Sequence, residues 1–303
     1  MFDKGKRLIG IAGTIACLAF FIHTPSWPTP DKLFIFLIFI FLALGQAKEL
    51  LMRLGPFVLL LLAYESFRGL IPQLNRRVEF EWMPYVDKLV FAGELPTKVL
   101  QNWWWSGHVQ WYDFMFYLVY MLHFIFPLGI AILVWKTRER WYWRVISMYV
   151  FVSFTGFLTF LLYPAAPPWM ATQTGVIEPV VRVSSEVWAA LGVNDFALLY
   201  DKIAPNPVAA VPSLHAGYAT LLFLIVAKLY GKKWAALAAV YPLIIYIGTI
   251  YMGDHYAIDE FLGAMYAVVA YYSVIGVFAL YKKRFGSKVS DEPLVKTDPQ
   301  KVG

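Results

Sequence analysis

Eight apolar stretches recur along this chain of 303 residues, at about 8–23, 33–47, 56–71, 114–135, 145–163, 213–230, 234–251 and 256–281. Each comes close to the roughly 20 residues with which an α-helix crosses a bilayer. Burying all of them in one water-soluble core would leave apolar surface exposed, so part of the solvent must be lipid. The expected fold is therefore all-α, a polytopic transmembrane helical bundle of about eight spans. The second stretch, LFIFLIFIFLALGQA, is short enough to be tilted or re-entrant. Composition agrees: 60% of residues are hydrophobic and 15% charged, against about 25% charged in soluble domains.

The chain opens MFDKGKRLIGIAGTIACLAFF, charged and then apolar like a signal peptide. Further spans follow at once and no A-x-A-like site ends it, so it reads as a retained first helix. The single cysteine, Cys17, excludes an intrachain disulfide; a lipoprotein-type cysteine is the alternative reading. Two connections, 72–113 and 164–212, carry no span. The first contains NWWWSGHVQWYDF, whose tryptophans and tyrosines favour the headgroup level, so interfacial helices are expected there. Residues 1–285 read as a single integral-membrane domain. The remainder, 286–303, is polar, and no soluble domain or internal repeat is visible.

Charge placement suggests an orientation. With the N-terminus in the cytoplasm, the inner loops hold Lys4, Lys6, Arg7, Lys48, Arg53, the 136–144 cluster, Lys228, Lys232, Lys233 and the basic tail. The outer loops hold far fewer, namely Lys32, Arg76, Arg77, Lys88, Lys98, Arg182 and Lys202. The positive-inside rule then puts both termini in the cytoplasm. His215 and His255 both fall on the extracytoplasmic face. The net charge of +6 comes with no Arg/Lys stripe interleaved with aromatics, so nucleic acid is not an expected partner.

Two motifs on that face can carry chemistry. In NPVAAVPSLHAGY, from Asn206, a helix is expected to start at Ser213, where free backbone N–H groups and a partial positive charge favour an anion such as phosphate. Ser213 can cap that end, and His215 sits in the first turn; an ordinary cap beside an interfacial histidine is the bland alternative. In GDHYAID, His255 and Asp259 are spaced i, i+4 and share a helix face. A carboxylate on one ring nitrogen fixes the tautomer and frees the other as base or nucleophile. Asp254 reads as a helix cap. A metal held by His215, His255 and Asp259 is conceivable, but no metal-type motif is present and neither metal nor cofactor is expected. Arg68, at i+3 from Glu65 inside an apolar run, is either a structural ion pair or a phosphate ligand; His123 is either a core histidine or part of the site.

VPSLHAG (211–217), followed about 40 residues later by HYAID, resembles the second and third signatures of the type-2 phosphatidic acid phosphatase superfamily. The leucine of PSLH, the upstream YPAAPPW (163–169) and YMLHFIFP (120–127) resemble its inositol phosphotransferase branch, which includes inositol phosphorylceramide synthase. The resemblance covers about 114–270. It implies a six-helix phosphatase-type core behind N-terminal helices, with the catalytic core at about 114–281. It further implies that His255 attacks phosphorus to form a phosphohistidine, that Asp259 orients His255, and that His215 protonates the leaving alcohol. Ser213 would hold phosphoryl oxygens. The implied activity is lipid phosphotransfer from a membrane phospholipid or lipid phosphate to an alcohol or lipid acceptor. Lipid phosphate hydrolysis is the nearest alternative, and a non-enzymatic transporter or scaffold the more distant one. Departures matter too: Gly248 and Thr249 stand where the third signature has Ser-Arg, and the first signature's lysine and arginine are missing. A phosphoryl group in a dry site needs cationic compensation, for which Arg68, Arg182 and Lys202 are the candidates. Tyr163 and His123 complete the expected binding set.

Overall fold

Helices α1 (Lys4–His23) and α2 (Pro30–Ala43) pair with each other and dock through α2 onto α3 (Ala47–Arg68), in a computed structural model that describes residues 4–23, 30–192 and 206–286. The apolar face of α1 is almost wholly exposed, which suits a helix surrounded by acyl chains. Next come two short helices, α4 (Trp82–Val90) and α5 (Pro96–Trp104), in the connection expected to lie along the interface. The remaining long elements are α6 (Trp111–Met121), α7 (Phe126–Thr137), α8 (Tyr142–Leu162), α10 (Leu214–Tyr230), α11 (Lys232–Tyr251) and α12 (Ala257–Phe285), with the two-turn helix α9 (Val183–Ala190) between α8 and α10.

Five of these elements, α1, α3, α8, α11 and α12, are long and apolar enough to cross a membrane. The α6–α7 pair is long and apolar enough only when taken together and bends by 53° at its break, as a broken span or a re-entrant loop does, and two shorter apolar helices account for the other expected stretches. The eight stretches and their order therefore match the sequence reading, with two differences. The stretch expected as one helix over 114–135 breaks at Leu122–Ile125, because Pro127 starts α7 and cannot continue the preceding helix. The third helix begins at Ala47 rather than near residue 56. Its extra turns carry Glu49 and Arg53, whose charges are met by Lys136 and Glu139 at the same end of the bundle.

The core is built around α8, which packs against α3, α7, α10 and α12 through Tyr142, Tyr149, Val152 and Phe160. The polar chemistry collects at the opposite end from the Arg53–Glu139 pair. There, extended segments at Glu79, Ala165 and Ala209 lie side by side in parallel bridges and roof the bundle. The fold thus places the N-termini of α10 and α12, which carry the two motifs, side by side at this end. One close contact fixes their approach. A Cβ on Gly263 would fall 2.1 Å from the carbonyl oxygen of Ser213, so only glycine lets α12 cross α10 this tightly.

Candidate active site

Helix α10 starts as the sequence suggests. Ser213 is its N-cap, and its Oγ accepts the Ala216 N–H at 3.2 Å. At the start of α12, Asp259 Oδ2 accepts the Tyr256 N–H at 2.9 Å. The two helix starts are joined directly, for the Ser213 N–H donates to the Asp259 carbonyl at 3.0 Å. This bond and the Gly263 contact bring motifs 40 residues apart into one site.

His215 and His255 stand with ring centroids 5.6 Å apart. His255 Nδ1 lies 3.5 Å from Asp259 Oδ2, an ion-pair distance at the outer limit of hydrogen bonding. Such apo contacts commonly tighten when substrate binds. In this state His255 Nδ1 and Asp259 Oδ1 are both buried without a hydrogen-bond partner among the described residues. His215 is held between two rings, stacked on Tyr120 at 4.1 Å and tilted over His123 at 4.3 Å, and its Nε2 has no hydrogen-bond partner among the described residues. Both histidines line one cavity together with Arg68, His123, Tyr120, Trp169, Asn206 and Asp254.

The loop bearing His255 is fixed from several sides. Gly253 has φ +76°, a left-handed conformation, and a Cβ there would meet the Val181 carbonyl at 2.8 Å. Gln101 on α5 donates to the carbonyls of Val181 and Tyr251 and accepts the Val181 N–H, so its buried amide clamps both segments. Asp87 on α4 caps α12 from outside the helix. Its two oxygens accept the N–H groups of Ala257 and Ile258, each at 2.9 Å, and burial pushes its pKa up to about 6 although the amide bonds hold it down. Neither Gln101 nor Asp87 was visible as a site residue in the sequence, because each acts across a long sequence separation.

Of the expected binding residues, Arg68 and His123 reach the cavity. Arg68 does so while paired with Glu65 at 2.9 Å, so the structural ion pair and the cavity position coexist. Arg182 stands behind Asp254, its Nε 3.4 Å from Asp254 Oδ1 and its guanidinium 4.1 Å over the Trp169 ring. Ser213 is fully buried as a cap and is not among the cavity-lining residues. Tyr163 lines a separate hollow with Asn75, Arg77 and Glu79. Lys202 lies outside the described residues. Asp254 is not the helix cap expected of it, since Asp259 and Asp87 occupy that role. Thr249, at the position of the missing arginine, hydrogen-bonds Glu260 at 2.8 Å behind His255. Among the described residues no group of three His, Cys, Asp or Glu side chains is placed to hold a metal ion.

The family model of the PAP2 superfamily matches residues 94–273, more than half of the chain. The chain belongs to the PAP2 superfamily. The match includes His123, His215, His255 and Asp259, whereas Arg68 lies before it. The chain is also similar to phosphoinositol dihydroceramide synthase of Bacteroides thetaiotaomicron, at 34% identity over 148 residues, which is 46% of this chain and 47% of that protein. It therefore spans about half the length of this curated relative. No solved structure matches the chain.

The electrostatics of His255 set a pH expectation for this PAP2 site. Burial works against its charged form, but the Asp259, Glu260 and Asp254 carboxylates outweigh burial and hold its pKa above the ordinary value. If His255 is the attacking ring, it must be unprotonated to act, and activity is lost as pH falls through this raised value. The acid limb of kcat/KM should accordingly lie above pH ~6.5. In Asp259→Asn, with one supporting charge gone, the limb should move to lower pH while the plateau falls. A pH–rate profile with the limb unmoved would contradict this assignment.

Proposed function

We propose that this protein is a membrane lipid phosphotransferase that moves a phosphorylated headgroup from a phospholipid donor to a hydroxyl on a second lipid, through a covalent phosphohistidine. The observation that carries the reading is the meeting of His215 and His255 in one cavity with Asp259 behind His255 and Arg68 on the facing helix. In the first step His255 Nε2 attacks phosphorus, the bond from phosphorus to the lipid oxygen breaks, and protonated His215 delivers its proton to that oxygen. A bound phosphoryl anion favours the protonated ring. In the second step His215 takes the proton of the acceptor hydroxyl, the acceptor oxygen attacks phosphorus, and the P–N bond breaks to regenerate His255. Asp259 orients the ring and balances its charge, and Arg68 supplies cationic compensation that the missing signature arginine would otherwise give.

The name of the Bacteroides relative supports a phosphoinositol headgroup and a dihydroceramide-type acceptor. In this reading residues 1–285 act as one membrane domain, with the catalytic core at about 114–281 and the tail beyond in the cytoplasm. The basic residues of 136–144, 228–233 and 282–284 gather at the end of the bundle away from the cavity, which supports an extracytoplasmic active site.

The test is an assay of the purified full chain with phosphatidylinositol as donor, with and without dihydroceramide. A new phosphorylated sphingolipid, formed only when both are present, is the expected result. Release of inorganic phosphate from a lipid phosphomonoester, indifferent to acceptor, would instead favour hydrolysis.

A further inference from the structure

A site that only cradled phosphate would present donors and cations to it. This cavity also presents an acceptor. Asp254 has 8% of its surface exposed, and both of its contacts fall on one oxygen: Oδ1 receives the Ser184 hydroxyl at 3.2 Å and faces Arg182 Nε at 3.4 Å. Its Oδ2 is buried without a hydrogen-bond partner among the described residues, and the residue lines the cavity beside His255. A carboxylate oxygen repels phosphoryl oxygens and accepts from O–H groups.

Asn206, 2% exposed, supplies the complementary group. Its Oδ1 accepts the Val208 N–H at 3.3 Å. Only an oxygen can accept a backbone N–H, so the orientation of the amide is fixed and the NH₂ must be the other end. That Nδ2 is likewise buried without a partner among the described residues, and Asn206 lines the same cavity as Asp254. A buried donor or acceptor left unpaired is costly, so both atoms are built for a group that the cavity receives. A hydroxyl, which gives one hydrogen and accepts another, is the simplest group that satisfies both.

We infer that Asp254 Oδ2 and Asn206 Nδ2 form a hydroxyl-recognition subsite, through which the cavity selects a phosphoryl group carrying a hydroxylated alcohol over a bare phosphate. Arg182 and Ser184 hold Asp254 in place, and the Val208 amide holds Asn206. The subsite rests on the proposed phosphoryl site beside His215 and His255. Sites built to bond a substrate hydroxyl reject analogues lacking it far more strongly than apolar pockets reject a size difference.

Binding tests this without requiring turnover. Calorimetric titrations of the detergent-purified full chain would use myo-inositol 1-phosphate and inorganic phosphate as probes, with thermal unfolding as a check on folding. The wild type should bind the inositol phosphate at least about tenfold more tightly than phosphate. Asp254→Asn turns the acceptor into a donor, so it should weaken inositol phosphate by about tenfold or more while tightening inorganic phosphate. Asn206→Ala, on a different segment, should lose the same preference. Equal affinity of the wild type for both probes, or a parallel loss of both in the variants, would overturn the inference. If the preference is present but the transfer assay fails, the subsite stands and the proposed reaction falls.

Discussion

His255→Ala is expected to lower kcat by roughly 10⁴-fold or more, because the proposed covalent route would lose its nucleophile rather than an accessory group. Donor binding should survive, since Arg68, Asn206 and Asp254 line the cavity independently of the imidazole. The large change therefore belongs in kcat, with KM for the donor within a few-fold of wild type. The side chain is buried in a loop whose backbone is held by the Gln101 clamp and the Asp87 cap, and none of those bonds uses the imidazole. The variant should consequently fold and insert normally. Residual turnover near the wild-type level would remove covalent catalysis by this residue.

His215→Ala should cost about 10²–10⁴-fold, the usual contribution of a positioned acid–base group. The diagnostic feature is its dependence on the leaving group. A lipid alkoxide leaves poorly without a proton, whereas a nitrophenolate does not need one. With a nitrophenyl phosphodiester as donor, the first step in His215→Ala should recover most of its rate, while transfer to an alcohol remains slow because the acceptor has lost its base. Rapid quench measurements of nitrophenolate release against product formation would separate the two steps. An equal defect with lipid and nitrophenyl donors would mean that His215 acts structurally, for instance by filling the slot between Tyr120 and His123.

The parts of this molecule set by short-range rules could be read from its residues. The apolar lengths gave the membrane segments, because lipid imposes the same requirement on each one. The i, i+4 spacing placed Asp259 against His255, and the Pro–Ser step before His215 located a helix start. The break at His123 was also written locally, in Pro127, although the uninterrupted apolar run concealed it. What stayed hidden depends on contacts between distant segments. Asp87 caps a helix some 170 residues away, and Gln101 meets Tyr251 across 150. Asp254 resembled a cap because it precedes a helix, yet Asp87 and Asp259 satisfy that helix and leave its second oxygen for the cavity. Arg68 showed both of its possible natures at once, an ion pair with Glu65 and a wall of the site.

The central claim concerns which atom holds the phosphoryl group between donor and acceptor. The full chain can be given labelled phosphatidylinositol without acceptor, quenched in alkali to preserve the P–N bond, digested, and mapped by mass spectrometry. The account predicts a phosphorylated-headgroup adduct on His255, absent from His255→Ala and discharged when dihydroceramide is added. Transfer proceeding at full rate with no adduct on His255, or with the label on another residue, would contradict it.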